Sequence, residues 1–148
     1  HKNNIEVVAY FIVNPDFTEE DFNDLFKYVS DLNLKHPMFT VLTPFPGTEL
    51  YETYRPYLIS GLEWDSFDGN HAVFEHPSMT PDEREDAIVK LRADLFTTQK
   101  IVERVFHVSW KGFQMSHITS WMIQYPQGRA FKEFARERKD MKSSDQKL

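Results

Sequence analysis

The sequence predicts an α/β fold: the last strands of a larger barrel or open sheet, followed by a helical extension. Three observations lead there. Residues 5–13 form a nearly continuous apolar run rich in β-branched and aromatic side chains, the composition of a strand buried on both faces. A capped amphipathic stretch and a second apolar run, residues 38–43, follow it directly. Strand, helix and strand within about 40 residues make a βαβ unit, with parallel strands and a right-handed crossover. Beyond residue 80 the apolar residues recur at helical intervals instead.

Each element has a local reason. Asn14-Pro15-Asp16 ends the first strand, and Thr18 with Asp21 three residues later is a capping-box start. Phe22, Leu25, Phe26, Val29 and Leu32 keep helical spacing until Asn33 and His36-Pro37 close the helix. After the second strand, Pro44 and Pro46 stiffen the chain, Gly47 permits a tight turn, and Thr48 caps a helix carrying Leu50, Tyr51, Tyr54 and Leu58. Pro56 predicts that this helix is short or kinked. Residues 60–79 read as irregular around a short extended piece, Ala72-Val73-Phe74. Thr80, Pro81 and Glu83 then start a long helix running through Ile88, Leu91, Leu95, Thr98, Val102, Val105 and Ser109. A further helix holds Ile118, Trp121, Met122 and Tyr125 and is expected to stop at Pro126-Gln127-Gly128. The last carries Phe131 and Phe134 and fades into a polar tail. The division is therefore 1–60 α/β, 61–79 irregular and 80–148 helical. A two-stranded sheet is too small to stand alone. Either Val7, Ala9 and Phe11 or Val8, Tyr10 and Ile12 should therefore be solvent-exposed, along with one sheet edge.

Composition bounds the function. The 148 residues are 41% hydrophobic and 15% aromatic, which excludes intrinsic disorder. With no cysteine, this chain holds no disulfide, thiolate zinc site, cysteine nucleophile or cysteine-ligated cluster. No apolar run approaches a membrane span of roughly 18 residues, and no signal peptide is visible, so the expected location is cytoplasmic. The chain opens at His1 rather than at a Met, and the expectation is a piece of a longer protein. Residues 1–89 carry 17 acidic and 5 basic side chains, whereas residues 129–148 carry 4 and 7. An acidic body with a mildly basic tail does not point to nucleic acid.

Candidate chemistry is sparse. His71 and His76 lie among Glu63, Asp65, Asp68 and Glu75, but a spacing of five fits neither one helix face nor one strand face. A loop of caps and turns is the better reading than a metal site. His107 and His117 read as packing or surface residues, and Trp110, Phe113 and Trp121 as core. There is no Ser/His/Asp order or phosphate-cradling glycine loop. The positions with functional promise are the carboxyl ends of the two strands, where parallel α/β folds bind ligands.

The stretch Phe39-Thr-Val-Leu-Thr-Pro-Phe-Pro-Gly-Thr-Glu-Leu-Tyr51 resembles the segment that ends the barrel of radical S-adenosylmethionine enzymes, of the class often fused to a cobalamin-binding domain. Phe11-Ile-Val-Asn-Pro15 with Thr18-Glu-Glu-Asp-Phe22 looks like that family's preceding strand and helix. Trp64-Asp65, His71-Ala-Val-Phe74 and Met79-Thr-Pro81 look like its post-barrel region. The resemblance covers roughly residues 5–110 and implies the last strands of a partial (β/α) barrel. It implies S-adenosylmethionine and a [4Fe-4S] cluster as cofactors of the parent enzyme, with cobalamin as a further candidate and an unidentified small molecule as substrate. It also implies Ile12, Asn14, Leu42, Thr43 and Pro44 as the wall of the S-adenosylmethionine pocket. Two departures stand out. The family's Cys-x3-Cys-x2-Cys cluster loop is absent, so the partner of this segment is the N-terminal part of the same polypeptide, and the segment alone is inactive. Asn14 stands where many relatives have Gly. The competing expectation is a non-catalytic α/β-plus-helical interaction module.

Overall fold

The computed structural model describes residues 7–34, 36–106 and 115–145. Strand β1 (Val8–Val13) leads through helix α1 (Glu19–Asp31) into strand β2 (His36–Val41). The two strands are adjacent and parallel, with Val8 opposite His36 and Val13 opposite Val41. Among the described residues they form a sheet of two strands. α1 starts as its sequence dictates. The Thr18 N–H donates to the Asp21 carboxylate at 2.8 Å, and the Asp21 N–H donates back to the Thr18 hydroxyl at 3.4 Å. At its other end the left-handed backbone at Asn33 (φ 49°) turns the chain toward β2.

β2 begins at His36 and ends at Val41, two residues earlier at each end than the pattern suggests. Pro37 is accommodated because the Leu42 N–H donates to the Val13 carbonyl at 2.9 Å. By alternation the backbones of residues 36, 38 and 40 face β1, and those of 37, 39 and 41 face outward. A proline on the outward register costs the ladder nothing. The ladder stops after Leu42, where Thr43 turns its hydroxyl back onto the Val41 carbonyl at 3.1 Å.

Helix α2 (Glu49–Tyr54) is one and a half turns long and tightens into a 3-10 turn at Arg55–Tyr57, as Pro56 requires. Residues 58–79 run irregularly, with Phe74 bridged antiparallel to Leu58. The Ala72-Val73-Phe74 piece is fully buried. α3 (Pro81–Leu95) begins at the Thr80–Glu83 capping box. The expected single long helix breaks at Phe96-Thr97, and α4 (Thr98–Phe106) starts anew. The break is a cap: the Thr97 hydroxyl accepts the Lys100 N–H at 3.3 Å.

α5 (Met115–Asp145) runs straight through Pro126 and Gly128, where the sequence suggested a stop. Gly128 is where the helix packs most closely on its neighbours. A Cβ there would collide with the Phe96 carbonyl oxygen and come within 3.1 Å of Ile101 Cδ1. α5 thus crosses the α3–α4 corner at the one residue that fits against its backbone. The core joins Val13, Phe39 and Val41 of the sheet to Phe22 and Val29 of α1 and to Ile88, Leu91, Leu95, Phe96 and Ile101 of α3 and α4. Arg138 of α5 clasps α3 through the carboxylates of Glu85 (2.9 Å) and Asp86.

Candidate functional site

Side-chain alternation gives the sheet two different faces. Phe39 and Val41 are buried against the helices with Val13, and Phe11 lies half-buried beside them, its ring stacked on Phe39 at 5.5 Å. On the other face Val8, Tyr10 and Ile12 are 54%, 69% and 56% exposed, and Met38 is 45% exposed. This is one of the two triplets that the sequence offered for exposure. An apolar face of this kind is unusual for an independent domain.

The two sheet edges also differ. On β2 the outward Val41 N–H donates to the Gly69 carbonyl at 2.7 Å, and the outward Phe39 carbonyl accepts from Arg92 Nη2 at 2.6 Å. The loop that does this is held by Asp68, whose carboxylate accepts the N–H groups of Asn70 (2.8 Å) and His71 (3.1 Å) and contacts His71 Nδ1 at 3.0 Å. Partial burial raises the Asp68 pKa, but these backbone and side-chain donors outweigh it and hold the carboxyl at about 2. The loop can turn because Gly69 adopts φ +77°. The outward backbone groups of Val8, Tyr10 and Ile12 on β1 have no strand beside them among the described residues. The sheet is closed on one side and open on the other.

At the carboxyl end of the sheet, the structure separates the five strand-end residues. Ile12 lies on the open face. Leu42, on the same register as Met38, is half-buried beside it, and Asn14 is exposed just past the end of β1. Pro44 is buried, and Thr43 is turned inward by its bond to Val41. Ile12, Asn14 and Leu42 are therefore the three that share the open end.

A cleft of about 400 Å³ opens beside Asn14, lined by Asp16, Tyr54, Tyr57, Phe74, Glu75 and His76. Arg84 bonds the carbonyls of two residues that line it, Pro15 and Phe74. This arginine is 1% exposed and donates to three backbone carbonyls: Pro15 at 2.6 Å, Met79 at 3.0 Å and Phe74 at 3.2 Å. Burial lowers its pKa and the charge of Asp16 opposes that. Arg84 thus fixes the loop after β1 against the post-sheet segment. Sequence reasoning passed over it, because an arginine four residues after the N-cap Thr80, behind Pro81-Asp82-Glu83, reads as a solvated helix charge. Its apolar successors at i+4 and i+7, Ile88 and Leu91, place it on the buried face and were the available signal.

The His71–His76 neighbourhood is a network of turns. His71 sits on Asp68, while the Ser78 N–H donates to His76 Nδ1 at 3.2 Å. Trp121 is 38% exposed rather than core. The expectations for His107, Trp110 and Phe113 and for the His117 side chain lie outside the described residues.

Among known proteins, the chain is 27% identical over 106 residues to bacteriochlorophyllide d C-12(1)-methyltransferase of Chlorobaculum tepidum, covering 71% of this chain and 23% of that protein. It is 27% identical over 108 residues to bacteriochlorophyllide d C-8(2)-methyltransferase of the same organism, covering 72% of this chain and 24% of that protein. The chain thus spans about a quarter of the length of the curated relatives it matches. No protein-family model and no solved structure matches it. The fold is α/β with a small parallel sheet and several helices, and its similarity is to methyltransferases.

Proposed function

We propose that this chain is the C-terminal segment of a radical S-adenosylmethionine methyltransferase. Residues 1–60 would end a partial (β/α) barrel, 61–79 connect and seal it, and 80–148 cap it with helices. The one-sided sheet carries the reading. An open β1 edge and an exposed apolar face are what upstream strands would cover, and the sealed β2 edge suits the last strand of an open barrel. The similarity to two methyltransferases, over about a quarter of their length, supports it.

The residues present fit one wall of a nucleoside pocket. Ile12 and Leu42 offer apolar surface at the strand ends, and the exposed Asn14 amide has both donors and acceptors to present to a polar edge. Pro44 and Thr43 keep this end rigid from behind. The chain has no thiolate for iron, so the [4Fe-4S] cluster belongs to the upstream part, as does any cobalamin. Those groups supply the radical and methyl-transfer chemistry when bound. This segment orients S-adenosylmethionine and keeps water from it. The substrate would be a small molecule held at the same end of the sheet.

The test is the full-length protein with its cluster reconstituted and 5′-deoxyadenosine as the product measured. Ile12→Asp or Leu42→Asp should raise KM for S-adenosylmethionine about tenfold, equivalent to roughly 1.4 kcal/mol of binding. The 148-residue chain alone should cleave none. Cleavage by that chain, or an upstream coding sequence with no Cys-x3-Cys-x2-Cys motif, would overturn the reading in favour of an interaction module.

A further inference from the structure

α5 presents a second surface, independent of the barrel reading. One side of the helix is spent on packing: Gln124 and Gly128 are buried and Arg138 is clasped to α3. On another side Ile118, Met122, Tyr125, Arg129, Lys132 and Arg136 recur at alternating intervals of four and three, which places them on one stripe. The first half of the stripe is apolar and accessible, with Ile118 at 36% and Met122 at 62% exposure. Beside it the Trp121 ring stacks on Tyr125 with centroids 5.3 Å apart. The second half is cationic, and all three of its basic side chains are exposed.

Charge selects the occupant. Between Glu103 and Glu133 the sequence has no carboxylate, while Arg104, Lys111, Arg129 and Lys132 fall inside that stretch, in a chain of net charge −6. Glu133 borders the stripe, four residues from Arg129 and three from Arg136, and Glu137 lies on the row beyond it, so the three cations outnumber the one carboxylate beside them. The upstream strands would join β1 at the sheet, whereas α5 packs on α3 and α4. No described helix is long and apolar enough to cross a membrane. We propose that the α5 stripe docks on an anionic lipid surface. The helix lies in the plane of the interface, with Ile118, Met122 and the Trp121–Tyr125 pair at the acyl boundary. Arg129, Lys132 and Arg136 meet the headgroup phosphates.

The experiment is flotation of the full-length protein with vesicles of mixed phosphatidylglycerol and phosphatidylcholine, and with vesicles of phosphatidylcholine alone. Binding should favour the anionic vesicles by at least about tenfold and weaken with salt. The double variant Ile118→Glu, Met122→Glu should lose at least about tenfold in binding with its circular dichroism unchanged. Should that variant misfold, Arg129→Gln with Arg136→Gln, which leaves the apolar half intact, decides the matter by losing the anionic preference. No binding to either vesicle, or binding that neither variant alters, overturns the proposal. So does a monomer–dimer equilibrium abolished by Ile118→Glu, Met122→Glu, which would give the stripe to a second copy. S-adenosylmethionine cleavage is not part of the readout, so this proposal and the enzymatic one fail separately.

Discussion

Arg84 does the most work of any single side chain described. It is a buried cation whose partners are three carbonyl oxygens, one from the loop after β1 and two from the post-sheet segment, and the charge of Asp16 favours its ionised form. An aliphatic replacement of similar length would fill the space but take the arginine donors from the Phe74 and Met79 carbonyls and leave Pro15 with the Ser78 hydroxyl at 3.3 Å. Arg84→Met should therefore destabilise the chain by about 3 kcal/mol, since each buried unsatisfied acceptor costs about 1–3 kcal/mol. Urea unfolding of the two proteins measures it, and a midpoint unchanged within error would show that water serves the carbonyls equally well. Arg92 does a similar job with a different purpose. It spans the Phe39 carbonyl and Asn70 Oδ1 (3.2 Å), while its guanidinium sits 5.9 Å over the Phe131 ring. One side chain thereby ties the edge of β2, the loop beside it and α5 together.

At the scale of elements, the α3–α4 corner and α5 form one joint. Gly128 lies against the Phe96 carbonyl, and the Phe131 ring, one turn on, packs on Phe96 with centroids 5.3 Å apart. In an exposed helix Gly→Ala stabilises by about 1 kcal/mol. Here the sign reverses. Gly128→Ala should destabilise by about 2 kcal/mol, the usual cost of overpacking, because the obstructing atom is backbone and cannot rotate away. A raised midpoint in thermal unfolding would show that α5 does not sit on the corner as described. The same joint marks where the sequence was readable and where it was not. The capping boxes at Thr18 and Thr80, the Pro56 limit on α2 and the parallel strand pair follow from local chemistry, which a sequence displays. The break at Thr97 hides because the 3-4 pattern runs on across it, from Leu95 to Thr98, and Thr97 lies off that pattern. The passage through Pro126 hides because Gly128, which reads as a helix stop, is needed for a tertiary contact with the Phe96 carbonyl. The strand ends were legible as a region. Which of their residues face outward depended on a register that only pairing defines.

For the whole molecule, the asymmetry of the sheet has a consequence in terms of valence. Hydrogen-bonding edges are reactive groups, and a unit with two of them can polymerise without limit, as stacked strands do. With the β2 side occupied by Gly69 and Arg92, one remains among the described residues. A monofunctional unit couples once and terminates growth. Isolated at high concentration, the 148-residue chain should therefore stop at pairs joined β1 to β1 and should not form fibres. Tyr10→Pro, which deletes an outward N–H while leaving the bonds to β2 intact, should return the pairs to single copies in analytical ultracentrifugation. Arg92→Ala, which frees the Phe39 carbonyl, should convert a self-limiting unit into one able to propagate, visible as thioflavin-positive aggregates. The loop that looked like mere connection is then an end group, fitted to the outer edge of β2.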